Sequence, residues 1–298
     1  MNKKTSSAVR GAAYLIMSAF CFALMAAFVR LAGDIPSMQK AFFRNAVAAL
    51  FAWTAICREH ISFRGLNGKD FLFLVLRSTA GTIGLLGNFY AVDHMLLADA
   101  SVLQKLSPFF VMIFSTFILS ERATFVQYLG VATAFAASVL VAKPNFADMA
   151  ANLPATVAII GAMGAGLAST MVRLLSKRGV AGPLIIAFFS SFSCLIVLPW
   201  MIFDFHPMTG RQLMFLLLTG LAGAGGQFAL TAAYGSAPAR EISVYDYTHV
   251  LFSALFGFFI FSQVPDGWSV VGYLIIIGVS VISYIRGHRH EASHLEGS

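Results

Sequence analysis

Apolar residues run together along this chain in about ten long blocks, and charged residues are confined to the short breaks between them. Stretches such as Ala41–Cys57, Ala98–Leu119 and Val270–Tyr284 approach the roughly 20 apolar residues that cross a hydrocarbon core. Lipid offers no partner for a bare peptide group, so each block must be a helix that satisfies its own backbone hydrogen bonds. The pattern predicts helices over 11–32, 38–57, 71–92, 98–119, 124–142, 154–175, 183–204, 211–233, 243–262 and 268–285.

Composition narrows the class. Of 298 residues only 11% are charged and 58% are hydrophobic, whereas a soluble domain carries about 25% charged residues. The segments between helices are too short to bury a soluble core. The basic stretch Met1–Arg10 leads straight into the first apolar block without a small-residue cleavage pattern, so a cleaved signal is not expected. Cys21, Cys57 and Cys194 all fall within apolar helices, which argues for packing rather than a disulfide framework or metal cluster.

The net charge of +7 lies scattered over loop ends and forms no continuous stripe for nucleic acid. Instead the basic residues sort by side. With the N-terminus in the cytoplasm, that side collects Lys3, Lys4, Arg10, Arg58, Arg64, Lys69, Arg122, Arg173, Lys177, Arg178, Arg240, Arg286 and Arg289. The other keeps Lys40, Lys143 and Arg211. The positive-inside rule then predicts both termini in the cytoplasm and a multi-pass protein of the cell's inner membrane.

A repeat organises the blocks. Gly84-Leu-Leu-Gly87-Asn88-Phe89 in the third is echoed by Gly223-Ala-Gly-Gly226-Gln227-Phe228 in the eighth. Ala41-Phe42-Phe43 is echoed by Ala187-Phe188-Phe189, Val29-Arg30 by Val172-Arg173, and Gly130 by Gly272 when Glu121 is set against Gln263. Five helices are an odd number, so the second copy must enter the membrane from the opposite side. The expected fold class is therefore all-α integral membrane, ten transmembrane helices as two inverted-topology five-helix repeats, over residues 1–147 and 148–298. Secondary transporters are often built this way, with the substrate at the repeat interface near the midplane.

The residues also carry a family resemblance, covering about Gly11 to Tyr284. They are Phe42-Phe43-Arg44, then Leu106-Ser107-Pro108 through Leu119-Ser120-Glu121, then Gln127 and Gly130. In the second half they are Val244-Tyr245-Asp246-Tyr247, Phe261-Ser262-Gln263-Val264-Pro265-Asp266 and Gly272. On these the chain resembles the EamA-type members of the drug/metabolite transporter superfamily. The resemblance implies alternating-access transport of small metabolites, often export of amino acids or related compounds. One departure stands out: the family usually ends both helix four and helix nine with Glu, and here the second is Gln263.

Ionisable residues inside a spanning helix cost at least about 2.5–3.5 kcal/mol, so they face a cavity or a partner. Arg30 lies near a helix end, where it can snorkel to the interface. Arg44 lies deeper and could tie to helix carbonyls, to Asp34 or to a substrate carboxylate. Lys105 stands beside Gln104 one turn before Pro108, whose missing N–H frees the Gln104 carbonyl; this makes a polar notch. By the repeat, Gln104 and Lys105 fall opposite Asp246 and Tyr247, near His249. Arg77 could neutralise Asp246, or Asp246 could hold a substrate amine or a proton. Asn88 and Gln227 occupy matching places beside the glycines and could hydrogen-bond substrate. Glu121 and Asp266 read as helix-terminal groups, and His288, His290 and His294 as a solvated tail.

The expected substrate-binding set is thus Arg44, Asn88, Gln104, Lys105, Gln227, Asp246, Tyr247 and His249. The cargo is expected to be a small charged or zwitterionic metabolite. The expected partners are that cargo and the lipid bilayer, with no nucleic acid, no cofactor and no metal, and the chain is expected as a monomer or weak homodimer. A membrane-embedded enzyme is disfavoured, because no paired intramembrane aspartates, helical His-x-x-His or plausible serine elbow occurs. A channel or a sensor is also disfavoured, since a polar ring and an output domain are both missing. No nucleotide-binding loop is present for ATP coupling.

Overall fold

The computed structural model describes residues 3–63, 65–94, 102–142, 153–262 and 264–295, and among these every regular element is helical. In chain order they are α1 (Lys3–Leu31), α2 (Ser37–Arg58), α3 (Gly68–His94), α4 (Ser107–Leu119) and α5 (Phe125–Ala142). There follow α6 (Leu153–Lys177), α7 (Gly182–Phe203), α8 (Gly210–Ser236), α9 (Thr248–Phe261) and α10 (Gly267–Leu295). Seven stretches, in α1, α3, α4, α6, α7, α8 and α9 (α4 and α9 with the turns before them), are long and apolar enough to cross a membrane. α5 and α10 contribute shorter apolar stretches, Phe125–Val141 and Gly267–Ile282. α2 is interrupted by Lys40 and Arg44 and ends on Arg58.

Polarity is inverted relative to a soluble protein. Phe117, Phe125, Phe203 and Phe259 stand exposed, whereas Arg44, Arg77, Lys105, Glu121 and Gln227 are buried. Water would drive those rings inward; a lipid surround removes the drive. The chain is a multi-pass membrane protein.

Polar contacts define two ends of the bundle. At one, Arg173 Nε donates to Glu121 Oε1 at 3.2 Å, Arg178 bonds Asp70, and Arg240 Nη1 donates to the Arg122 carbonyl at 2.9 Å. At the other, the Gln39 side chain exchanges two 3.0 Å hydrogen bonds with the His206 backbone, and Arg30 lies 4.6 Å over the Phe261 ring. These are called below the Glu121 end and the Arg30 end.

Neighbouring helices follow a regular rule. α3 lies along α6 and α1 along α8; α4 packs on α6 and α9 on α1; α2 faces α7 and α5 faces α10. Counting on five helices turns α3–α6 into α8–α1 and α4–α6 into α9–α1, and returns α2–α7 and α5–α10 to themselves. The α3–α6 contact is a backbone contact: a Cβ on Gly84 would stand 2.9 Å from the Ala165 nitrogen, and one on Gly164 2.7 Å from the Ala80 carbonyl. Small residues permit such approach where no hydrophobic drive exists between helices in lipid.

The two continuous helices expected over 98–119 and 243–262 are not formed as such. Residues 98–101 lie outside the described set, a helical turn covers 102–104, and the chain turns at Lys105 and Leu106 before α4 begins. There Lys105 N, Leu106 N and Phe109 N donate to residues three back, at 3.0, 3.1 and 3.0 Å. Pro108 has no N–H to continue the four-residue ladder, and its ring crowds the preceding turn. Likewise a single α turn (Ala239–Ile242) and a 3₁₀ turn (Ser243–Tyr247) precede α9. Both α4 and α9 end on a serine in the left-handed region, Ser120 at φ 55° and Ser262 at φ 53°. Asp266 does cap α10, accepting from Ser269 N at 3.1 Å. α1 starts earlier than expected and α10 continues through the segment read as a solvated tail.

Gly84→Val is expected to destabilise the protein by about 1–3 kcal/mol, the usual cost of overpacking. Gly278→Ala, where an added Cβ meets nothing within 4 Å, is the control. Thermal melts of the purified protein check both.

Candidate functional site

The breaks before α4 and α9 face each other. Lys105 Nζ donates to Asp246 Oδ2 at 3.1 Å and to the Asp246 carbonyl at 3.3 Å, and Tyr247 Oη donates to the Lys105 carbonyl at 2.9 Å. Each break thus supplies what the other lacks: a cation for a carboxylate, and a phenol donor for a carbonyl left outside the helical ladder. Asp246 also sits just ahead of α9, where the positive end of the helix dipole favours a carboxylate. α4 has 13 residues, which at ~1.5 Å per residue places its break about 20 Å from the Glu121 end. α9, with 14 residues, places its break about as far from the Arg30 end. The junction therefore lies deep between the two ends.

The lysine side chain is 9% exposed and the aspartate 26% exposed, so Asp246 keeps an open side while Lys105 is enclosed. His249 is the second residue of α9, within hydrogen-bond distance of Ser253 Oγ at 3.4 Å and bonded to the Phe22 backbone of α1. The expected pairing of Arg77 with Asp246 is not formed. Lys105 takes that place because the breaks bring its own backbone alongside Asp246.

A second polar group lies between α2, α7 and α8. Arg44 Nη1 donates to Asn45 Oδ1 at 2.6 Å and Nη2 to Gln227 Oε1 at 3.3 Å; Gln227 Nε2 in turn donates to Thr231 Oγ1 at 3.4 Å. Asn45 Nδ2 donates to Ser193 Oγ at 3.0 Å. Arg44 has room because residue 223 is glycine, whose Cβ would stand 2.9 Å from Arg44 Cγ. Among the described residues neither Asp34 nor a helix carbonyl holds it.

The eight expected residues therefore divide. Lys105, Asp246 and Tyr247 meet directly, with His249 beside them; Arg44 and Gln227 meet in the second group. Asn88 and Gln104 are half-buried and no side-chain hydrogen bond joins them to either group among the described residues. Sequence reasoning passed over Asn45, Ser193 and Thr231. Thr231 follows Gln227 by one helical turn, a spacing that places both on one face, and that signal was readable.

Glu121 is also more than a helix-terminal group: it is buried and accepts from Arg173 and Lys177. Arg173 Nη1 further donates to the Tyr234 and Gly235 carbonyls at 3.4 and 3.2 Å. The segment between α4 and α5 is thereby bound to α6 and α8. Gln263, its expected counterpart, lies outside the described residues.

Comparison with known proteins matches an EamA-like transporter family model over residues 9–143 and again over 154–285. The chain is 30% identical over 269 residues to the pseudopaline exporter CntI of Pseudomonas aeruginosa, covering 90% of this chain and 93% of that one. It is 28% identical to human solute carrier family 35 member G1, over 95% of this chain and 81% of that one. With the riboflavin transporter of Rhizobium johnstonii it shares 25% identity over 96% and 94% of the two chains. A solved crystal structure with 15% sequence identity superposes at a TM-score of 0.80, covering 96% of this chain and 99% of the other, a likeness of fold.

Removing one partner of the junction leaves a charge with poor solvation. Lys105→Met and Asp246→Asn are each expected to cost about 3 kcal/mol, near the lower end for a broken buried pair because Asp246 is partly open. The double variant Lys105→Met/Asp246→Asn is expected to recover at least half of the loss in a double-mutant cycle read by thermal unfolding.

Proposed function

Belonging as it does to the EamA-like transporter family, the chain is a membrane transporter, and we propose that it exports a small charged or zwitterionic metabolite, an amino acid or related compound, by alternating access. On this reading ten spans form two inverted five-helix repeats, residues 1–147 and 148–298, in the inner membrane. Both termini are cytoplasmic, and the Glu121 end is the cytoplasmic one.

The observation that carries the proposal is the junction of the two interrupted helices. Discontinuous helices in secondary transporters offer free backbone groups and helix termini to a cargo near the midplane. Here the Lys105–Asp246 pair, with Tyr247 on the Lys105 carbonyl, stands at such a place. A zwitterion can exchange its own charges for those of the pair, its carboxylate meeting Lys105 or Arg44 and its amine Asp246. Support for the repeat comes from the neighbour rule that maps onto itself on counting five helices, and from the matched breaks and serine ends of α4 and α9. The names of the relatives, exporters and transporters of different compounds, agree with transport without fixing the cargo.

Two outcomes are expected. Proteoliposomes bearing the full chain take up labelled amino acids or related metabolites by counterflow, and Lys105→Ala lowers the rate at least tenfold; absence of uptake by folded protein for every such class would overturn the reading. In cells, thiol labelling of Lys69→Cys and Lys177→Cys variants finds both positions on the cytoplasmic side. Labelling from opposite sides would contradict the threading.

A further inference from the structure

Two buried cations in the bundle have no carboxylate. Arg44 is 4% exposed and Arg77 2% exposed, and neither takes part in any ion pair among the described residues. Both guanidinium groups address the ring of Phe189, Arg77 at 3.8 Å and Arg44 at 5.7 Å from its centre. Glycines make the space: a Cβ on Gly81 would stand 2.6 Å from Arg77 Nη1, just as one on Gly223 would crowd Arg44.

The groups that orient Arg44, the Asn45 and Gln227 amides, are neutral. They direct its guanidinium without cancelling its charge. Three donors remain unused: Arg44 Nε, Arg77 Nε and Arg77 Nη1. A desolvated charge is normally paired and hydrogen-bonded, and leaving a buried donor without a partner is destabilising. A cation–π contact attracts a guanidinium to the ring face but satisfies none of these N–H donors. An anion placed here would meet those donors and balance the two charges.

A path leads there. A cleft of about 390 Å³ at the Glu121 end, between α6, α7 and α8, is lined by Ser176, Val180, Ile186, Phe228 and Thr231. Thr231 Oγ1 is the acceptor of Gln227, and Gln227 is the acceptor of Arg44. Ile186 lies one turn before Phe189. The cleft therefore reaches within one helical turn of Phe189 and Gln227, the residues that the two arginines address.

We infer that Arg44 and Arg77, arranged about Phe189, form an oxyanion site, and that the cargo is a metabolite presenting a carboxylate or a phosphate ester to it. This rests on the transport reading for the word cargo and on geometry alone for the anion. Guanidinium groups suit both oxyanions through paired N–H donors. On this inference the Lys105–Asp246 junction takes the cargo's other end.

Purified full-length protein in nanodiscs is titrated at constant ionic strength with succinate, glutamate, glycerol 3-phosphate and putrescine, following the melting temperature. Succinate, glutamate or the phosphate ester is expected to raise it and putrescine to leave it unchanged; which oxyanion acts identifies the head group. Arg77→Met is expected to weaken the apparent affinity at least tenfold while melting, without ligand, no lower than wild type. Arg77→Lys, which keeps the charge but not the fork, falls between. Wild-type protein unmoved by any oxyanion, or an Arg77→Met protein that melts lower yet keeps its full response, overturns the inference and makes Arg77 a packing residue. Counterflow separates the two readings. Oxyanion binding through both arginines without uptake of any probe defeats transport and leaves the site standing. Uptake of putrescine unaffected by oxyanions defeats the site and leaves transport standing.

Discussion

A charge inside a lipid-surrounded bundle has no water to fall back on, and for Lys105 and Asp246 the structure answers this by making them meet where two helices are interrupted. The Lys105–Asp246 contact forms between the chain segments that precede α4 and α9. Each segment has lost part of its regular backbone ladder, and Tyr247 repairs one exposed carbonyl directly. Close backbone packing of α3 on α6, through Gly84 and Gly164, lets the bundle hold these breaks in register. The same limited space determines where Arg44 and Arg77 can lie.

Two kinds of charged contact emerge, and they differ in their ability to change. Glu121 is tied to Arg173 and Lys177, and Arg173 also reaches two carbonyls of α8. That cluster fastens several elements together at one end. The junction is simpler: one cation, one carboxylate partly open, and a phenol. A ligand bearing both charges can compete with the junction pair but hardly with the multiply bonded cluster. On the proposed reading this division assigns cargo to the middle and closure to the end.

Much of this was legible in the sequence, for physical reasons. Long apolar blocks specify helices because lipid leaves the backbone no other choice, and the pairing of positions 104–105 with 246–247 brought the two interacting segments to notice. What periodicity could not tell was that those blocks are broken. Pro108 pointed to a freed carbonyl, but the change to three-residue hydrogen bonds at Lys105 and Leu106 depends on the facing segment. The partner of Asp246 was open for the same reason: Arg77 and Lys105 are both buried cations, and only the packing of Arg77 against Phe189 decides between them. Asn88 matched Gln227 in sequence, yet only Gln227 lies within reach of Arg44. A matching position in a helix fixes register along the chain and not the rotation that brings a side chain to a neighbour.

The most direct measurement is counterflow by a protein whose junction charges have been exchanged, Lys105→Asp with Asp246→Lys, set against each single change. If the pair joins the two broken helices and yields to cargo, each single variant loses activity and the exchanged double regains a substantial part of it. If Lys105→Asp alone folds and exchanges cargo as the wild type does, the two residues do not act together and the account of the junction is wrong.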